Sequence, residues 1–158
     1  MRQDRKIRIA FAALGGWDTH SGQGLATGRL PTALKAMADG LVALKEGLGQ
    51  AWRQTVVLTA TEFGRTVAAN GTNGTDHGTA SVAMMLGGAV AGGRVIADWP
   101  GLAIERQFER RDLAPTMDLR AILKGVLIEH LALTADAVDR VVFPDSRGVR
   151  PRRELVRT

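Results

Sequence analysis

The chain has 158 residues, with 45% hydrophobic residues, 4% aromatic residues and no cysteine, which suits one ordinary domain and excludes both a disulfide framework and thiolate metal ligation. The formal net charge is +5, but nine basic and three acidic residues lie in segments 1–8 and 145–158, leaving 12 basic and 13 acidic residues between them. The basicity therefore belongs to the ends. It predicts solvated termini rather than a nucleic-acid surface, and no apolar run approaches the ~20 residues of a membrane span. Glycine is frequent, at 19 residues, which predicts many tight turns and a loop-built site.

Ile7–Leu14 (IRIAFAAL) is short, apolar and partly β-branched. It predicts a buried strand, and its charges and the Gly-Gly-Trp-Asp that follows argue against a signal peptide. The strand would deliver Asp18 and His20 at its carboxyl end. Residues 21–29 read as a loop, and Pro31 suits a first helical turn. Leu34, Met37, Leu41, Leu44 and Leu48 then form one apolar helical stripe. Thr55–Thr59 (TVVLT) is the clearest strand, followed by Thr61-Glu62-Phe63-Gly64-Arg65. Residues 69–79 make a polar loop. Ser81–Leu86 predicts a third strand and Val95–Ile96 a short edge strand. Thr116 is the expected N-cap of a second long helix carrying Leu119, Ile122, Leu123, Val126 and Leu127 on its apolar face. A short segment at 135–141 follows. Residues 1–145 form the predicted domain and residues 146–158 a basic, disordered tail. This order of elements predicts an α/β layer structure with a mainly parallel sheet, in which the active crevice lies at the carboxyl ends of the strands.

Two of the three histidines lie in glycine-flanked polar segments, Gly15-Gly16-Trp17-Asp18-Thr19-His20 and Gly74-Thr75-Asp76-His77-Gly78-Thr79. In extended chain Asp18 and His20 point to one side, and His77 adds a third donor. Two imidazoles and one carboxylate leave a coordination position open, the pattern of a catalytic metal site. The alternative is that Asp18 caps a turn and His20 satisfies a backbone group. Glu62 is a ligand, a general base or an orienting group, and Arg65 an anion clamp, or the two form a surface pair. Asp76 is a second ligand or a turn residue. His130 reads as a partly buried helix-end histidine. No GxGxxG, P-loop or Gly-x-Ser-x-Gly pattern is present in the sequence.

GGWDTH, TVVLTATEFGRTVAANGTNGTDHGTA, LGGAVAGGRV with DWPGL, RDLAPTMDLRAIL and VVFPDS occur in the order of one bacterial family. The chain resembles the domain of unknown function 1501 family, related to sulfatases and the alkaline phosphatase superfamily, over residues 7–145. The resemblance implies a three-layer α/β/α sandwich and a metal-dependent hydrolase of small anionic phosphate or sulfate esters. It makes Asp18, His20 and His77 the metal ligands, with zinc expected ahead of calcium, magnesium or manganese, and gives Glu62 and Arg65 the catalytic roles. Phe63 departs from the pattern, standing where a metal-binding histidine is expected. Family members are longer, so the chain resembles their C-terminal portion. The nucleophile, further ligands and a twin-arginine export signal are expected in the N-terminal half, which a second chain could supply. As it stands the chain predicts a cytoplasmic location, and full-length members an exported one. The competing expectation is a non-catalytic remnant or binding domain that keeps the fold without turnover.

Overall fold

The computed structural model describes residues 7–157; the predicted basic cluster Arg2, Arg5 and Lys6 and the last residue of the tail lie outside them. The described chain divides into two units. The first comprises residues 7–51, Phe63–Ser81 and Gly101–Ala114, and the second Trp52–Glu62, Val82–Pro100 and 115–157.

In the first unit, helix α1 spans Arg29–Leu48. Pro31 falls in its first turn, and Gly49 at φ 54° closes it by donating its N–H to the Lys45 carbonyl, an exit that favours glycine. The apolar stripe forms as its spacing predicts, but none of the helix is buried and Leu34 is 44% exposed. Strands β2 (Gly64–Arg65) and β3 (His77–Gly78) pair antiparallel, with Gly64 opposite Gly78 and Arg65 opposite His77. Thr66 and Phe108 each bridge to Asp112.

The second unit contains β1 (Val57–Thr59), paired antiparallel with β4 (Met84–Leu86). Helix α2 (Leu119–Glu129) begins at Asp118 rather than Thr116, because the Asp118 carboxylate accepts the Arg120 backbone N–H. A single turn, α3 (Ala135–Ala137), leads into a wider turn at Val138–Val142. Lys124 of α2 is fully buried. Its ammonium donates to Asp139 Oδ1 at 2.6 Å and to the carbonyls of Ser146 at 2.6 Å and Val149 at 3.1 Å. Gly125 lies against the Arg152 carbonyl, where a Cβ has no room.

Three expectations need correction. Ile7–Leu14 pairs with no strand among the described residues, and Phe11 is 93% exposed. An apolar segment becomes a strand only when a neighbour completes its ladder. Val95–Ile96 is likewise not a strand. The expected disordered tail is laid down as part of the second unit. Val156 bridges to Val90, Leu155 is buried, and the Glu129 carboxylate accepts the backbone N–H groups of Glu154, Leu155 and Val156 at 2.8, 2.9 and 3.3 Å. Three backbone donors compensate a carboxylate placed at the unfavourable end of a helix. The strand pairs among the described residues are antiparallel and two-stranded, whereas the sequence pattern predicts a mainly parallel sheet built on Ile7–Leu14. No helix among the described residues is long and apolar enough to cross a membrane.

Candidate metal centre

All three predicted ligands lie in the first unit, Asp18 and His20 on one loop and His77 at the start of β3, and the loop before β3 is sewn to the first by backbone bonds. The Gly22 N–H donates to the Thr72 carbonyl, the Gln23 N–H to Asn73 and the Thr75 N–H to Thr19. Gln23 Oε1 accepts from the hydroxyls of Thr19 and Thr75 at 2.8 and 2.7 Å, and Thr19 is 1% exposed. Gly74 lies directly on the His20 backbone, with no room for a side chain. The β2–β3 register sets Arg65 opposite His77, which puts both side chains on one face.

Asp18 meets them there. Its Oδ1 lies 3.0 Å from His20 Nε2, 3.0 Å from His77 Nε2 and 2.7 Å from Arg65 Nη2. The two Nε2 atoms are 3.2 Å apart. The group is the one cluster of three histidine or acidic donors among the described residues with ligand atoms mutually within 4.8 Å. The other nitrogen of His20, Nδ1, is 2.8 Å from Asp76 Oδ1. If His20 donates that proton to Asp76, its Nε2 is a lone pair. The contact between the two rings then requires a proton on His77 Nε2, directed toward His20 and Asp18; these positions are assigned from the network of partners.

Electrostatics keep the carboxylates ionised. The hydrogen bond from His77, then that from Arg65, holds Asp18 below the usual carboxylate range. The hydrogen bond from His20, then that from Asn70, does the same for Asp76. Both groups are exposed.

Asn70 is the part of the site that sequence reasoning missed. Its Nδ2 donates to the His20 carbonyl at 2.9 Å and to Asp76 Oδ1 at 3.0 Å. Its Oδ1 accepts from the Thr72 N–H and the Gly74 N–H, each at 3.0 Å. The signal was the Asn-Gly-Thr-Asn-Gly run, in which an asparagine side chain caps its own turn. Asp76 resolves the choice left open by the sequence in a third way, as a partner of His20 Nδ1.

The two predicted catalytic residues have different fates. Arg65 donates to Asp18, to the Trp17 carbonyl at 2.8 Å and to the Thr75 carbonyl at 2.9 Å, so it ties the ligand loops together rather than offering its fork to an anion. Glu62 is exposed and belongs to the second unit; it is not a member of the Asp18–His20–His77 cluster. Phe63 stacks on His77, with ring centroids 4.2 Å apart and planes inclined at 32°. His130 is the half-buried C-cap of α2, as its sequence position predicts.

The first unit thus carries a two-histidine, one-carboxylate cluster whose donor atoms are close enough to share a metal ion. Residues 1–141 match the family described as "Protein of unknown function (DUF1501)". The chain belongs to that family. No curated protein and no solved structure matches it.

Proposed function

We propose that Asp18, His20 and His77 hold one divalent cation, with zinc the first candidate and calcium, magnesium or manganese the alternatives, in a hydrolase of phosphate or sulfate esters. The observation that carries this reading is the mutual spacing of the three donor atoms, 3.0, 3.0 and 3.2 Å. Tetrahedral bonds of about 2.0–2.1 Å place neighbouring ligand atoms about 3.3 Å apart, so a cation fits with small adjustments. It would take the place of the proton between the two rings. Ionised Asp18 and the open side of an exposed cluster suit a site that also admits an anionic ester. A bound divalent ion supplies Lewis acidity toward an ester oxygen and acidifies water. Asp18 contributes the compensating charge, Arg65 holds Asp18 in place, and Phe63 covers one face of the His77 ring. The reading also includes an incomplete three-layer sandwich, in which a second chain segment covers the apolar residues of Ile7–Leu14. Its support is the exposure of Ile7, Ile9, Phe11 and Leu14, at 46, 69, 93 and 62%.

A second reading is a metal-binding domain without turnover. It is favoured by the buried hydroxyls of Thr19 and Thr75, both of which are tied to Gln23. Zinc titration by calorimetry, with His77→Ala and Asp18→Ala as controls, tests the shared premise. Stoichiometric binding in the wild type and its loss in both variants is the expected result. Equal affinity in all three proteins overturns the metal assignment. Hydrolysis of nitrophenyl phosphate or sulfate by the loaded protein then separates the hydrolase from the binding domain.

A further inference from the structure

We propose that Asp76, anchored by Asn70, is a positioning residue that sets the tautomer and orientation of His20, keeping Nε2 as the free donor at the cluster. Four observations place it there. Asp76 Oδ1 lies 2.8 Å from His20 Nδ1, on the side of the ring away from Asp18 and His77. The same oxygen accepts from Asn70 Nδ2 at 3.0 Å, so the carboxylate is fixed from a second direction. That Nδ2 also donates to the His20 carbonyl at 2.9 Å, and the Thr72 hydroxyl donates to the same carbonyl at 2.7 Å, so the backbone and the ring of His20 are held together. Finally, the Asn70 side-chain oxygen closes the turn from which Asp76 emerges, through the Thr72 and Gly74 N–H groups.

An imidazole has one proton when neutral, and the hydrogen bond at one nitrogen decides which nitrogen is left for a ligand. A carboxylate on the far nitrogen also makes the near one more basic and fixes the ring plane, and loss of such a partner typically lowers metal affinity about 10–100-fold. Asp76 lies one residue before His77, so its sequence position suggests a ligand. Its contacts direct it to the opposite side of His20.

The consequence for metal affinity rests on the proposed cation site, but the tautomer does not. The test is long-range proton–nitrogen NMR of the histidine rings in the metal-free chain, at a pH where both rings are neutral. In the wild type His20 is expected as the Nδ1–H form. In Asp76→Ala it reverts to the Nε2–H form that imidazole prefers in water, whereas Asp76→Asn, which retains an acceptor oxygen, keeps Nδ1–H. A wild-type His20 in the Nε2–H form overturns the proposal, even if the alanine variant does not fold. In zinc titrations Asp76→Ala is expected to bind at unchanged stoichiometry about 10–100-fold more weakly, and Asp76→Asn to recover part of that loss. Loss of stoichiometric binding in Asp76→Asn, matching His77→Ala, makes Asp76 a ligand and also overturns the proposal. If the wild type binds no zinc, the cation site fails while the tautomer measurement still decides the role of Asp76.

Discussion

The two units of the chain have interiors of different kinds. In the first, the buried side chains are Thr19, Thr75 and Asp112; in the second they are Ala89, Val90, Val138 and Leu155, together with Lys124 and Ser146. The first unit is organised by directional bonds. Asp112 accepts from Arg111 and from the Thr79 hydroxyl, Gln23 joins two threonines, and Asn70 joins its own turn to His20 and Asp76. The second has a small apolar centre, and its one buried ammonium has three acceptors around it. Apolar burial is non-directional and tolerates repacking, whereas a polar network fixes atoms to within tenths of an ångström and fails when one member is lost. A cluster of ligand atoms needs the second kind of order. The region that carries the candidate site is therefore the region least supported by apolar burial.

The largest effect that would sharpen this contrast is in the second unit. Lys124→Met leaves Asp139 and the carbonyls of Ser146 and Val149 without their cation, and breaking such a buried pair costs about 3 kcal/mol or more. Chemical denaturation followed by the near-ultraviolet signal should show that loss. A variant as stable as the wild type would mean that the ammonium is dispensable and the apolar centre sufficient.

A smaller change should strike the first unit harder in function than in stability. Gly74→Ala drives a Cβ into the His20 backbone, so His20 must move away from Asp18 and His77. Zinc affinity is expected to fall at least about tenfold, the range for disturbed ligand orientation, and the denaturation midpoint to fall less than in Lys124→Met, because the clash is with backbone that must shift. Unchanged affinity would show that the loop has slack and that polar order is not what places the ligand.

The smallest effect is the response to acid. Asp18 and Asp76 titrate below the usual carboxylate range in the folded chain, through hydrogen bonds led by His77 and His20 respectively. A group whose folded value is lowered contributes stability that is complete above its unfolded value, about 3.9, and lost as pH falls through the folded value. Amide protection of Gly22, Gln23 and Thr75 should therefore hold down to about pH 4 and decline below it. Loss of protection between pH 6 and 5 would mean that groups other than these carboxylates hold the loops together.

Much of this organisation was legible before the fold. The α1 stripe predicted a helix that begins within two residues of Pro31 and ends at Leu48, because its period of alternating three and four residues has no strand counterpart. Asp18, His20 and His77 were legible as a candidate donor set because few residue types bind divalent metals and two of the three histidines lay within two residues of an aspartate. Ile7–Leu14 was misread because composition reports a preference for burial, and a strand also needs a neighbour to accept its hydrogen bonds. The tail was misread because its arginines dominated the reading, while the order comes from backbone N–H groups that charge counting cannot see.

By itself the sequence determined the two long helices, the glycine-rich character of the site loops and, through its long motifs, the family. Tertiary structure alone decided that Arg65 faces Asp18, that Asp76 meets His20, that Asn70 unites the two, and that Glu129 gathers the final segment. The physical reason is range. Periodicity and turn chemistry act over a few residues, whereas each of these bonds joins groups whose partners are chosen by the path of the backbone. His20 and Asp76, for example, are 56 residues apart in sequence and 2.8 Å apart in space.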